Sequence, residues 1–139
     1  MPGVKLTKFV EKMNLKNCTP EIDLNGKYIT LPDVNRPALQ LTGYYEHFDS
    51  ERVQIIGIVE STYLGTLSEE RKKDIYKELL SYNIPCLILT SQIRPEEELL
   101  RRAKETGTPI LTTEKKTSPF QAEVIRWLNV QLAPCISIH

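Results

Sequence analysis

Short apolar strands alternate with amphipathic helices through the second half of the sequence, and this alternation constrains the fold more than any other feature. Cys86 to Leu89 forms a continuous apolar strand. Pro95 and the three glutamates after it favour the start of a helix, and Gly107 favours its end. Ile110 to Thr112 is a further short strand. This order predicts an α/β fold, with a mixed, largely parallel sheet, right-handed crossovers and helices packed on it.

Capping signals and apolar spacing predict the helices next to these strands. Thr66 and Glu69 form a capping box for a helix that continues to Tyr82. Ser118 and Gln121 form another before the last helix. The first of these helices is expected to turn Ile75, Leu79, Leu80 and Tyr82 inward and Lys72, Lys73 and Lys77 outward. The last is expected to bury Phe120, Val124, Trp127 and Leu128.

The first part of the chain is predicted to supply a short helix and a hairpin. Residues 5–13 carry apolar side chains at helical spacing. Asn25 and Gly26 separate two segments, 20–24 and 27–34, and this dipeptide is the most favourable two-residue hairpin signal. An antiparallel pair is therefore expected there.

Two further strands are predicted, one in the middle and one at the end. The β-branched run from Val53 to Val59 is long enough for a buried strand, with Glu60 and Ser61 at its end. Ile136 and Ile138 alternate with polar neighbours in a strand that stops at His139. We expect an unfinished element of this kind where a longer protein has been divided.

Composition restricts the classes of partner. The chain has 139 residues, the size of one ordinary domain. Its 18 basic residues balance 18 acidic ones, which does not favour nucleic acid or an anionic membrane as a partner. No apolar run approaches the ~20 residues of a membrane span, and we expect a cytoplasmic protein. Cys18, Cys86 and Cys135 are widely spaced and predict neither a disulfide framework nor a zinc site.

The segment from Asn35 to Tyr44 is hard to explain by packing alone. Pro37 favours a short helix, and Gly43 permits a sharp exit from it. Two interpretations are open for the polar side chains. Arg36 is paired with a carboxylate in a tight connection, or Arg36, Gln40 and Tyr44 lie beside a pocket.

Polar side chains also follow the predicted parallel strands. In open sheets of this kind, ligands bind beyond the carboxyl ends of the strands, near helix amino termini. Hydroxyl and basic groups there suit a phosphate or a carboxylate, although loops are polar and helices need caps in any protein. The candidate ligand-binding residues at this edge are Thr90, Ser91, Arg94, Thr113, Lys116 and Ser118.

The sequence contains no recognisable catalytic or metal-binding pattern. His47 and His139 are far from metal-ligand spacing. There is no G-x-x-x-x-G-K-[ST] phosphate loop in the sequence, so the backbone and lysine that hold a nucleotide triphosphate are absent. We therefore predict no catalytic residue, no metal and no cofactor for this chain by itself.

Several runs together resemble a known family. RPALQLTGY begins at Arg36, ERVQIIG follows at Glu51, and PCLILT begins at Pro85. PEEELLRRAKETGTPIL begins at Pro95, and LAPCISIH ends the chain. In this order and spacing they resemble the amino-terminal domain of bacterial HPr kinase/phosphorylase. The resemblance implies a single domain over residues 1–139, similar in fold to the nucleotide-substrate domain of the peptidoglycan (Mur) ligases.

The resemblance also implies what the longer protein does. Such a protein phosphorylates a serine of the phosphocarrier protein HPr with ATP or pyrophosphate and Mg²⁺, and removes the phosphate by phosphorolysis, in carbon catabolite control. Its catalytic domain is expected to be this chain's covalent partner, typically in a hexamer. For the chain itself two roles stay open: a ligand-sensing module, or a structural domain that sets assembly or orientation.

Overall fold

The computed structural model describes residues 3–134, in which helices cover both faces of a mixed sheet. In chain order the elements are β1 Val4–Lys5, α1 Leu6–Lys12, β2 Lys16–Asn17, β3 Tyr28–Ile29, β4 Val34–Asn35, α2 Ala38–Leu41, β5 Val53–Ile56, α3 Ile58–Gly65, α4 Glu69–Leu80, β6 Leu87–Leu89, α5 Glu97–Thr106, β7 Ile110–Thr112 and α6 Thr117–Gln131.

The main sheet has the strand order β2-β7-β6-β5-β4. Strands β4 to β7 are parallel, and β2 runs antiparallel to β7. Because β4 to β7 all run in the same direction, their carboxyl ends lie at one edge of the sheet. The predicted mixed, largely parallel sheet with packed helices is confirmed. Its expected similarity to the peptidoglycan ligases stays a prediction.

Side chains of the parallel strands are buried on both faces of the sheet. Ile55, Ile88 and Leu111 pack in one cluster with side chains of α1 and α6. Ile56 and Ile110 pack in the other, with side chains of α4 and α5. Period-two alternation explains this division, and burial of each such side chain stabilises the fold by about 1.5–3 kcal/mol.

Several helix boundaries differ from the predicted ones. Ser68, rather than Thr66, caps α4, because its hydroxyl accepts the Arg71 backbone N–H at 3.1 Å. The last helix begins one residue before Ser118, without a side-chain cap. The end of α5 is as predicted, since Gly107 adopts the left-handed conformation at φ 74°.

The predicted hairpin at Asn25 and Gly26 is wrong. Gly26 does turn, at φ 83°, but β3 pairs antiparallel with β1 instead. The segment before the turn does not form a strand, because residues 19–22 make a turn of their own, in which the Ile22 N–H donates to the Thr19 carbonyl. The amino-terminal strand thus takes the place of the expected partner.

The strand predicted over Val53 to Val59 ends at Ile56, and α3 follows at once. Glu60 and Ser61 therefore lie in a helix rather than in a loop. Strand propensity favoured the wrong structure for Ile58 and Val59, because the Glu60 carboxylate accepts the Gly57 backbone N–H at 2.7 Å and starts the helix. Helix α3 was therefore not predicted from the sequence.

Most predicted core residues are buried, with some corrections. Trp127 is partly buried and packs against Phe9, with ring centroids 6.1 Å apart. Tyr82 is 38% exposed instead of facing inward, since it lies beyond α4 and stacks on Tyr45. Lys72, predicted on the outer face, is buried. The strand predicted around Ile136 and Ile138 lies outside the described residues, as does Cys135.

Candidate functional site

An ion pair joins the end of β4 to the start of α3. Arg36 Nη2 lies 2.7 Å from Glu60 Oε1 and 3.0 Å from Oε2. The Glu60 side chain is only 5% exposed, and it also accepts the Gly57 N–H. Bidentate pairing with a further hydrogen bond stabilises a buried carboxylate. The structure therefore shows the first of the two arrangements considered for Arg36, a connection whose arginine pairs with a carboxylate.

Gly57 is enclosed where β5 meets α3. A Cβ at Gly57 would lie 2.5 Å from Thr117 Oγ1 and 2.8 Å from Arg36 Nη2. Thr117 in turn shares a hydrogen bond with Thr90, with 2.6 Å between the two hydroxyl oxygens. These contacts tie together the ends of β4, β5 and β6 and the start of α6.

The loops after β6 and β7 hold each other through backbone bonds. Ser91 and Gln92 both adopt positive φ, at 58° and 63°. The Ser91 N–H donates to the Lys115 carbonyl at 2.8 Å, and the Gln92 N–H donates to the Thr113 carbonyl at 3.2 Å. The Thr113 hydroxyl accepts the Lys115 N–H. Ser91 and Thr113 thus fix the shape of this edge.

Other candidate ligand-binding residues lie in two places, at the turn around Gly43 and at the start of α6. Gln40 is buried, and its amide donates to the Tyr44 carbonyl at 3.3 Å, which holds the turn at Gly43. The Tyr44 side chain is exposed. At the start of α6, Lys116 and Ser118 are also exposed, and neither lines either of the two cavities described below.

Arg94 lines a cavity of about 220 Å³ between α3, α4 and the start of α5. The ends of β5 and β6, at Ile56 and Leu89, form its floor, so the cavity lies at the carboxyl edge. Its full lining is Ile56, Ser61, Leu64, Gly65, Lys72, Tyr76, Leu89, Ile93, Arg94, Pro95, Glu96 and Leu99. The charged members are Lys72, Arg94 and Glu96, which give the lining a net charge of one positive unit.

A second cavity, of about 290 Å³, lies at the opposite end of the parallel strands. Residues 26–28 and 83–85 form most of it, with Lys27 and Glu51 as its charged members. The two opposite charges balance in this second cavity, and the strands begin rather than end there. The second cavity therefore does not favour an anion as the first cavity does.

Three side chains at the first cavity form a connected polar cluster. Lys72 Nζ lies 2.7 Å from Glu96 Oε2 and 2.8 Å from Glu69 Oε2. The Tyr76 hydroxyl donates to Glu96 Oε1 in a short hydrogen bond. The Lys72 side chain is 9% exposed, whereas that of Glu96 is 44% exposed. Lys72 therefore lies inside the cavity and Glu96 at its mouth.

The cluster fixes the charge of each member. Hydrogen bonds to Glu69 and then to Glu96 raise the pKa of Lys72. Burial raises the pKa of Glu96, but hydrogen bonds from Lys72 and Tyr76 outweigh it and hold that pKa below its usual range. Burial and the hydrogen bond to Glu96 raise the pKa of Tyr76. At neutral pH the cavity contains an ammonium, a carboxylate and a neutral phenol.

Of the residues predicted from sequence, Arg94 lines this cavity, while Thr90, Ser91 and Thr113 build the adjoining edge. Lys72, Tyr76 and Glu96 were not predicted from the sequence to form a group. One signal was present, because Lys72 continues the i, i+4 spacing of the buried stripe on α4. A lysine in that stripe was assigned to the surface on chemical type alone.

Within residues 3–134, no cluster of three His, Cys, Asp or Glu side chains is arranged to hold a metal ion. In the same part of the chain, the helices are all too short or too polar to cross a bilayer.

A parallel sheet with a polar cavity beyond its carboxyl edge places the protein in the class of open-sheet α/β domains. The chain belongs to the family described as HPr Serine kinase N terminus, whose family model matches residues 4–128. It is 56% identical over 139 residues to the HPr kinase/phosphorylase of Lachnoclostridium phytofermentans, covering 100% of this chain and 45% of the relative. It is 40% identical over 132 residues to that of Caldicellulosiruptor bescii, covering 95% and 42%.

The chain thus spans less than half the length of these relatives and corresponds to their amino-terminal domain. A solved structure has a similar fold, with a TM-score of 0.58 at 20% identity over 94% of this chain and 48% of that one. It comprises the CBS and DRTGG domains of the regulatory region of Clostridium perfringens pyrophosphatase, complexed with its activator, diadenosine tetraphosphate.

Proposed function

We propose that this domain is a sensor that binds a small anionic metabolite in the cavity beside Arg94 and communicates with the rest of an HPr kinase/phosphorylase. The observation that carries the proposal is the lining itself. Two basic side chains, Arg94 and Lys72, and one acidic side chain, Glu96, surround a cavity at the edge of the sheet where open α/β domains bind ligands.

The size of the cavity limits the ligand. Pockets for drug-sized molecules span roughly 300–1,000 Å³, and this one has about 220 Å³. A pyrophosphate or a small phosphorylated metabolite suits that volume better than a whole nucleotide. The apolar floor of Ile56, Leu64 and Leu89 would contact the uncharged part of such a ligand.

A regulatory role also agrees with the fold comparison. The similar solved structure comes from a regulatory region and is complexed with an activator. The activator in that complex, diadenosine tetraphosphate, is a large nucleotide ligand. The cavity volume in this chain favours a smaller ligand. The analogy supports sensing as a type of role, not a particular ligand.

Titration calorimetry on the 139-residue chain tests this function, with pyrophosphate and a panel of sugar phosphates as probes. We expect Arg94→Ala to weaken binding at least about tenfold, because a charge-assisted hydrogen bond contributes roughly 1.5–3 kcal/mol. Lys116→Ala is the matched control, since Lys116 is at the same edge but outside the cavity lining. Equal losses in both variants, or no heat with any probe, would contradict the proposal.

For the longer protein we propose the activity for which its relatives are named. It phosphorylates a serine of HPr with ATP or pyrophosphate and Mg²⁺, and reverses the reaction, in the cytoplasm and as a hexamer. This chemistry would belong to the part of the relatives that the chain does not cover. The chain incubated with HPr, ATP and Mg²⁺ should give no phosphoserine by mass spectrometry, and turnover at an enzymatic rate would contradict this division.

A second role, in assembly, is favoured by exposed apolar side chains on two helices in contact. Leu39 on α2 is 60% exposed, and Ile58 and Val59 on α3 are 60% and 73% exposed. Adjacent exposed apolar residues often mark an interaction surface. If a second copy covers them, sedimentation velocity will show concentration-dependent association that Val59→Asp abolishes. A monomer at all concentrations would exclude self-association through this surface.

A further inference from the structure

Glu96 occupies two hydrogen-bond donors of the cavity, the Lys72 ammonium and the Tyr76 hydroxyl. Its Oε2 accepts from Lys72 Nζ and its Oε1 from the Tyr76 hydroxyl, so both carboxylate oxygens face α4. Glu96 is also the residue immediately before α5, yet its side chain makes no capping bond to that helix. The carboxylate is therefore held by α4 and not by its own helix.

We propose that Lys72 and Tyr76 form a phosphate subsite, that the Glu96 carboxylate fills this subsite in the free domain, and that the ligand's phosphate binds by displacing Glu96. This inference rests on the proposed sensing function and specifies its ligand as a phosphorylated one. It also identifies the event by which binding is detected, the release of Glu96.

Exposure shows which partner is free to move. Lys72 is 9% exposed and Glu96 is 44% exposed, so Glu96 can rotate into water while Lys72 stays in place. Without Glu96, Lys72 would keep one carboxylate partner, Glu69, which is 78% exposed. An incoming anion would restore the second partner of this buried ammonium.

Charge also favours a phosphate. With Glu96 at the mouth, the lining has one net positive charge, and with Glu96 rotated out, Lys72 and Arg94 leave two. A tethered competitor has an effective concentration of roughly millimolar order. A free monocarboxylate carries the same charge as the Glu96 carboxylate and therefore has no advantage over it in binding. A phosphate brings about −1.5 to −2 charges and three acceptor oxygens.

Displacement would alter the contact between α4 and α5. The Lys72–Glu96 and Tyr76–Glu96 bonds connect α4 to the start of α5 across 24 and 20 residues of sequence. When the ligand takes these donors, the start of α5 loses its polar attachment to α4. The release of Glu96 thus links binding in the cavity to the position of α5.

Calorimetry with pyrophosphate on Glu96→Gln tests the exchange, with Glu97→Gln as the matched control. Glu97 is exposed in the first turn of α5 and loses the same charge without touching Lys72. Because Glu96→Gln removes the internal competitor, we expect it to raise pyrophosphate affinity about fivefold, the upper end of the effect of a partly exposed ion pair. Glu97→Gln should change affinity less than about twofold.

Four further results test the displacement and the sensing function separately. In the Glu96→Gln background, Tyr76→Phe should return affinity to the wild-type value or below, because the phosphate loses a donor. Wild-type binding that Glu96→Gln leaves unchanged or weakens would overturn the displacement and leave the sensing function standing. If no variant binds pyrophosphate or any sugar phosphate, both proposals are wrong. Binding of acetate as tight as pyrophosphate would overturn the preference for phosphate.

Discussion

Arg36 pairs with Glu60 across 24 residues of sequence, through contacts of 2.7 and 3.0 Å that join the end of β4 to the first turn of α3. Removing one partner leaves a carboxylate of 5% exposure without its counter-charge. We expect Arg36→Ala to lower the free energy of unfolding by about 3 kcal/mol, measured by urea denaturation.

Arg52→Ala provides the control for this change. Arg52 pairs with Asp33 and Asp49, both about half exposed, so its loss should cost less than about 1 kcal/mol. A similar cost for both arginines would show that the Arg36–Glu60 pair behaves as a surface pair.

Gly57 should tolerate no side chain. Gly57→Ala places a Cβ 2.5 Å from Thr117 Oγ1 and 2.8 Å from Arg36 Nη2, so one of these groups must move. We expect destabilisation of about 1–3 kcal/mol in thermal or urea unfolding. Gly65→Ala, in the last turn of α3, meets nothing within 4 Å and should be neutral or stabilising by up to about 1 kcal/mol. Equal effects at the two glycines would disprove the enclosure of Gly57.

The Glu96 cluster should make stability depend on acid pH. The folded-state pKa of Glu96 is below its ordinary value, so its ionised form stabilises the fold at neutral pH. That contribution is lost as pH falls through the folded pKa. We expect the free energy of unfolding of the wild type to exceed that of Glu96→Gln by about 1 kcal/mol at neutral pH. This difference should shrink below about pH 4.

At alkaline pH, the titration of Lys72 limits the stability that the Lys72–Glu96 pair contributes. Its pKa is raised in the folded state, so its contribution is complete below the ordinary lysine pKa and is lost as pH rises through the folded value. The difference between wild type and Glu96→Gln should therefore be constant between these limits. Urea titrations across acid, neutral and alkaline pH measure it, and a difference that stays constant into strong acid would contradict the assignment.

The sequence predicted the fold class because local signals agreed with the tertiary structure in the second half of the chain. Ile110 to Thr112 is a strand as predicted, and Gly107 ends α5. The first half failed where distant partners decided the outcome. Asn25 and Gly26 do turn the chain, but the strand after them pairs with the amino terminus, which no local pattern indicates.

The sequence predicted only part of the candidate site, because distant contacts form the remainder. Strand order brings the carboxyl ends together, so the cavity beside Arg94 lies at the edge that the sequence predicted. Lys72, Tyr76 and Glu96 meet only because α4 packs on α5. A lysine is usually exposed, and its burial here depends on carboxylates from two elements.

The position of the bound ligand is the central claim, and a nuclear magnetic resonance titration locates it directly. Pyrophosphate added to the isotopically labelled chain should shift backbone amides from Ile93 to Leu99 and from Lys72 to Tyr76, which surround the cavity. Shifts confined to residues 113–118, or no shifts at all at millimolar pyrophosphate, would contradict the account.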